Sequence, residues 1–172
     1  DVSGPIQLTS QITLELSRMT IAGQTAPGQG ITIGGRQVLV ETSSDLIVRH
    51  IRARLGRNGG SADSMGVEGG NRIIFVHVTA SWSGDEGLSV AKDGNFVSVQ
   101  HSFIYEGLNY NQHGYGSLIR PDIDSSVTYH HNLYADNISR NPRPGTYGSK
   151  TLEFDFINNV IYNSRDRAGY SG

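Results

Sequence analysis

The chain has no cysteine, which excludes disulfides, zinc–thiolate centres and cysteine nucleophiles without fixing the compartment. Nothing in it resembles a transmembrane span or a signal peptide, although a removed export signal would leave no trace. It also lacks a charge imbalance. The 14 Lys and Arg stand against 16 Asp and Glu, so no general attraction to nucleic acid or to an anionic membrane follows. No Pro/Ser-rich linker or charge block interrupts it, and residues 1–172 are expected to form one domain. There is no Gly-x-Ser-x-Gly and no phosphate-binding loop.

What is present is periodic. Met19, Leu46, Ile73, Val97, Val127 and Phe154 follow one another at steps of 27, 27, 24, 30 and 27 residues. The later five each open a strand-like run, at 46–51, 73–78, 97–102, 127–132 and 154–159. Alternation and β-branched content mark these runs as strands. A second column runs beside them, at Val38, Met65, Leu88 and Leu118. Repeats of this length cannot bury an apolar face alone, so copies must stack. Stacked strand repeats without helices describe an all-β fold, a parallel β-helix of about six coils. The 22 glycines suit the tight corners that each coil needs. No amphipathic capping helix is visible, so the chain is expected to be a segment of a longer β-helix. Missing polypeptide or a second chain would then cover its ends.

Three clusters could carry chemistry. Asp63 and the pair Asp85-Glu86 precede successive second-column strands and should stack one coil apart. Carboxylates so close repel unless a hard cation such as Ca²⁺ joins them, though both Asp are also favoured turn residues. Arg140-Asn141-Pro142-Arg143-Pro144 presents two guanidiniums on a stiffened backbone, suited to carboxylates, or is a solvated basic loop. The loop 109–116 sets Tyr110 and His113 among amides, an arrangement that can stack on sugars or merely pack on the coil. His50, His77, His101 and His131 recur at the fifth position of each coil and are expected to form a structural ladder rather than a metal site. Asn132 and Asn159 share the next position and should begin an Asn ladder. The pairs Asp122/Asp124 and Asp155/Asp166 could form a hydrolase dyad, with a structural role favoured. Asn137-Ile138-Ser139 fits a glycosylation sequon.

These residues carry a family resemblance. The stretch 46–83, with Asp63, Val67-Glu68-Gly69 and Val78-Thr79-Ala80-Ser81-Trp82-Ser83, resembles the pectate lyases of polysaccharide lyase family 1. So do Gly114-Tyr115-Gly116-Ser117-Leu118-Ile119, Tyr129-His130-His131-Asn132-Leu133-Tyr134, 139–144 and 158–163, in the same order over nearly the whole chain. The resemblance implies a right-handed β-helix and a secreted enzyme. It further implies Ca²⁺-dependent β-elimination on polygalacturonate, giving unsaturated oligogalacturonates.

Carried over residue by residue, the resemblance makes Arg140 the catalytic arginine and base. Asp63 becomes one calcium carboxylate, and Asp85 or its neighbour Glu86 a second. Arg143 stands in for a substrate-binding arginine that usually lies further along. Arg120, Tyr110 and His113 complete the candidate substrate contacts, with His113 a second candidate base. Ser61 and Ser89 occupy places where the family has further carboxylates, so calcium is expected to bind more weakly or mainly through the substrate. Burial beside Ca²⁺ and Arg143 is expected to lower the pKa of Arg140. Two other readings stay open: a non-catalytic polyuronate-binding β-helix or fragment needing a partner chain, and a metal-free glycoside hydrolase on the same scaffold.

Overall fold

The computed structural model describes residues 3–172. Its strands are all parallel and stack in three columns that wind into a β-helix of about six turns. Among the described residues the only helical pieces are three short 3₁₀ turns, at Gly23–Thr25, Arg57–Gly59 and Tyr110–Gln112.

Both columns read from the sequence are there. Leu46 pairs with Met19 and Ile73, and Val97 with Ile73 and Val127. Val127 then pairs with Phe154. The second column pairs Val38 with Met65, Met65 with Leu88, and Val90 with Ile119. The strands Met65–Val76 and Leu88–Gln100 run through both columns and join them into one ten-stranded sheet.

The third column escaped the sequence reading. It is a seven-stranded sheet, Gly4–Gln7, Ile31–Gly34, Ile51–Arg54, Thr79–Ser81, Phe103–Tyr105, Leu133–Ala135 and Val160–Tyr162. A run such as 46–51 looks continuous, but the chain turns within it. His50, His77, His101, His131 and Asn158 sit at that turn with φ between 49° and 56°. His and Asn tolerate this left-handed region better than most residues, which is why they recur there. A second line of such corners, at Trp82, Glu106, Asp136 and Asn163, ends the third column.

Side chains alternate in and out along each strand. Leu46, Ile73, Phe75, Val99, Ile104 and Ile119 point inward and are fully buried. Each contributes about 1.5–3 kcal/mol on leaving water. The buried tyrosines are satisfied: Tyr129 Oη donates to Leu88 O at 3.2 Å and Tyr134 Oη to Ser117 Oγ at 2.9 Å. The Asn ladder forms as expected. Asn159 Nδ2 donates to Tyr129 O at 2.8 Å, and Asn132 Nδ2 to Val99 O at 2.9 Å. Asn132 Oδ1 accepts from the N–H of Ser102, whose hydroxyl accepts from Val78 one coil further on. The sequon is not accessible in this fold. Asn137 is buried, and its amide donates to Ile104 O and Asn141 Oδ1 at 3.0 Å each.

Candidate functional site

The acidic residues and Arg140 come from the first two and the fourth of four successive coils, with Tyr115 on the coil between, and meet on one side of the helix. Asp63 and Asp85-Glu86 enter the second column at Met65 and Leu88, two hydrogen-bonded neighbours, so their offset is fixed by register. Glu86 N–H donates to Asp63 Oδ1 at 3.0 Å, tying the two coils together. Asp63, Asp85 and Glu86 each offer a carboxylate oxygen within 4.8 Å of the others.

Arg140 is brought down onto this cluster by its own loop. Its carbonyl accepts from Ser117 N–H at 2.6 Å, and Gly116 N–H donates to Ser139 O at 3.0 Å. That approach requires glycine, because a Cβ on Gly116 would lie 2.6 Å from Arg140 O and 2.4 Å from Asn141 Oδ1. Arg140 itself sits at φ 54°, a strained value for a branched-off long side chain that its neighbours must hold in place. Asn141 supplies part of that hold, with its amide bonded to Ser164 Oγ at 3.2 Å. The guanidinium then lies 4.1 Å above the Tyr115 ring and donates through Nη1 to Glu86 Oε1.

The electrostatics are those of a crowded anionic site. Burial pushes the Asp63 pKa well up, and the facing Glu86 adds to it. Burial and then Asp85 push Glu86 up to about 7 even though Arg140 pulls it down. Burial, the largest single influence, would lower Arg140, but the charge and hydrogen bond of Glu86, with Tyr115 and Asp85, together outweigh it and leave the pKa raised. The nearest charge to the guanidinium is the Glu86 carboxylate rather than Arg143, and it pulls against the lowering expected beside Ca²⁺. Asp85 Oδ1 is buried with no hydrogen-bond partner, and so is Arg140 Nε. A set of three carboxylates, two with raised pKa values and one with an orphaned oxygen, fits a hard divalent cation. Asp63, Asp85 and Glu86 would be its ligands. Ser89 does not join them. Its hydroxyl accepts from Leu118 N–H at 3.1 Å and serves the sheet instead. Ser61 Oγ accepts from Asn111 Nδ2 at 3.3 Å.

The remaining candidates lie around this centre in different places. His113 meets Tyr115 edge-on at 4.9 Å, so His113, Tyr115 and Arg140 form a chain. Tyr110 lines a pocket of about 310 Å³ with Arg57, Gly60, Gly84 and Leu108, next to the loop that carries Asp85. Arg120 lies 4.0 Å over the ring of Tyr147, and Arg143 lies 5.6 Å over that of Tyr170. Neither guanidinium is paired with the carboxylate cluster. The dyad candidates are engaged elsewhere: Asp124 Oδ1 accepts from Thr151 N–H at 2.8 Å, and Asp166 is 3.8 Å from Arg167. Tyr115 and Asn141 are the residues that sequence reasoning passed over. Tyr115 stands in the flagged loop, and Asn141 inside the Arg-x-Pro motif. Only the stacking of coils shows that each touches or holds Arg140.

No protein-family model matches the chain. Curated relatives do. It is 42% identical over 170 residues to "Probable pectate lyase C" of Neosartorya fischeri. It is 41% identical to the protein of that name in Aspergillus fumigatus and 38% identical to that in Emericella nidulans. Each match covers 98% of this chain and 38% of the relative. The chain thus spans well under half the length of these proteins, and over that span it is their homologue.

Proposed function

We propose that this chain carries the active site of a calcium-dependent pectate lyase that acts outside the cell. It would cleave (1→4)-α-D-galacturonan by β-elimination and leave unsaturated oligogalacturonates. The observation that carries this reading is the convergence of Arg140 with Asp63, Asp85 and Glu86, in a homologue of proteins named pectate lyase. Calcium held by the three carboxylates would neutralise the substrate's own carboxylate and so acidify the adjacent C5 proton.

The chain's residues do the rest. Tyr115 supports the guanidinium from one face and fixes where its nitrogens point. In the resting chain Glu86 keeps Arg140 cationic. Release of Glu86 removes the interaction that raises the guanidinium's pKa, and this is the change a base role needs. Arg140 would then take the C5 proton, the C4–O bond would break, and the leaving oxygen would take up a proton. Tyr110 and its pocket offer a sugar-stacking wall beside the cluster. Arg120 and Arg143 would reach the uronates of neighbouring sugars, with His113 a second base within the Tyr115 chain. Further polypeptide, from this protein or another chain, would stack on Leu152–Ile157 and Val160–Tyr162, where Val160 and Tyr162 stand exposed.

The test is ultraviolet absorbance of unsaturated uronate during incubation with polygalacturonate at alkaline pH, with Ca²⁺ or with chelator. Absorbance should rise with Ca²⁺ and stop with chelator. Arg140→Lys should abolish the rise while leaving polygalacturonate binding largely intact. Wild-type rates in that variant would remove Arg140 from the chemistry. A second reading, a polyuronate-binding β-helix without turnover, draws on Ser61 and Ser89 standing where the resemblance expects carboxylates. It predicts binding with no absorbance change from a folded chain.

A further inference from the structure

The histidines on the far side of the coil corner do more than stack. His50, His77, His101 and His131 form the expected ladder, with ring centres 4.9, 5.3 and 5.0 Å apart and nearly parallel planes. His130 does not belong to that ladder. It stands one position earlier, edge-on to His131 at 86° and to His101 at 83°. Its Nδ1 lies 2.8 Å from Nδ1 of His131. Asn158 Nδ2 lies 3.4 Å from Nε2 of His131. An amide nitrogen only donates, so Nε2 accepts and a neutral His131 carries its proton on Nδ1, aimed at His130. His101 completes the group, since all three offer a nitrogen within 4.8 Å of the others.

This spacing suits a metal ion. With metal–nitrogen bonds of about 2.0–2.1 Å, two nitrogens at a right angle lie about 2.9 Å apart, and about 3.3 Å apart at the tetrahedral angle. The observed 2.8 Å matches the right angle. Imidazoles in that arrangement favour Cu²⁺ and Ni²⁺. The group contains no carboxylate, so it offers Ca²⁺ none of the oxygen ligands it prefers.

We propose that His101, His130 and His131 form a binding site for a divalent transition cation of tetragonal preference, Cu²⁺ ahead of Ni²⁺ and Zn²⁺. The site shares no residue with the acidic cluster. When Nδ1 of His131 becomes a ligand, its proton moves to Nε2, and the Asn158 amide oxygen, turned inward, can accept a hydrogen bond from the new Nε2–H. Asn158 is thereby a positioning residue for the site.

The probe is Cu²⁺ alone, titrated calorimetrically into tag-free chain at neutral pH, with electron paramagnetic resonance of the bound ion. The expected result is one ion per chain with an axial spectrum split by nitrogen. His130→Gln and His131→Asn should each weaken binding about tenfold or more. His131→Asn places at this corner the residue that the next coil has at Asn158, so the fold should persist, and circular dichroism checks it. His50→Asn, in the ladder but outside the group, should bind as the wild type does. Absence of saturable binding would overturn the proposal. So would affinities untouched by His130→Gln and His131→Asn, or lowered equally by His50→Asn.

Discussion

Glu86→Gln, compared with the wild type from pH 4.5 to 8.5 in chelator, tests the electrostatics of the acidic cluster. The Glu86 side chain is 6% exposed, and its pKa is raised from 4.5 to about 7. Between those two values the folded chain holds a proton that the unfolded chain has lost. Stability therefore falls as pH rises through this window, and the deficit is complete above the folded pKa. The gap is worth about 3 kcal/mol. In a chain of 172 residues that corresponds to roughly 9 °C in melting temperature. Asp63 is shifted in the same direction and adds to the trend. His50 and His130, with lowered pKa values, act oppositely and cost stability as pH falls below 6.5. Both are common to the two proteins and cancel in the comparison. Urea unfolding followed by circular dichroism should show the wild type losing about 3 kcal/mol relative to Glu86→Gln between pH 4.5 and 8. A flat difference, or one that favours the wild type at high pH, would mean that Glu86 is not desolvated beside Asp85 as the structure places it.

Two further substitutions probe how the coils are held. Asn132→Ala removes the donor to Val99 O and the acceptor for Ser102 N–H, both buried, and should cost about 3 kcal/mol in urea unfolding; a loss below about 1 kcal/mol would mean that water replaces the amide. Gly84→Ala would set a Cβ 1.6 Å from Gly60 O, so hydrogen exchange at residues 56–63 should rise sharply, whereas Gly56→Ala, at φ 75° and ψ 171° with open space around it, should cost about 1–3 kcal/mol through its own backbone strain alone and leave exchange elsewhere unchanged.

Much of the architecture is legible in the residues because strand partners repeat at nearly constant steps. Met19, Leu46, Ile73, Val97, Val127 and Phe154 all pair with their neighbours in the predicted register. The third column is not legible for a local reason. His50 and its counterparts turn the chain with one residue of positive φ and no glycine or proline, so apolar alternation runs on across the corner. In the candidate site, Asp63 and Asp85 are predictable as neighbours because register stacks them. The Glu86–Arg140 pair is not, because it links residues 54 apart through loops of unequal length. That pairing also sets the sign of the Arg140 pKa shift, and composition carries no trace of it.

Parallel winding has a consequence for how the chain acquires its structure. Ile73 must find Val97, 24 residues away, and Val97 must find Val127, 30 away. Closing one such loop costs about 3 kcal/mol of chain entropy before any contact is gained. The first two coils bear that cost with one interface to offset it. Every later coil lands on an edge already in place, where its closure and its contacts arrive together. Starting is therefore the slow event, in the range of non-local β topologies, and extension is fast by comparison. The number of coils governs how firmly the folded state holds far more than how quickly it is reached.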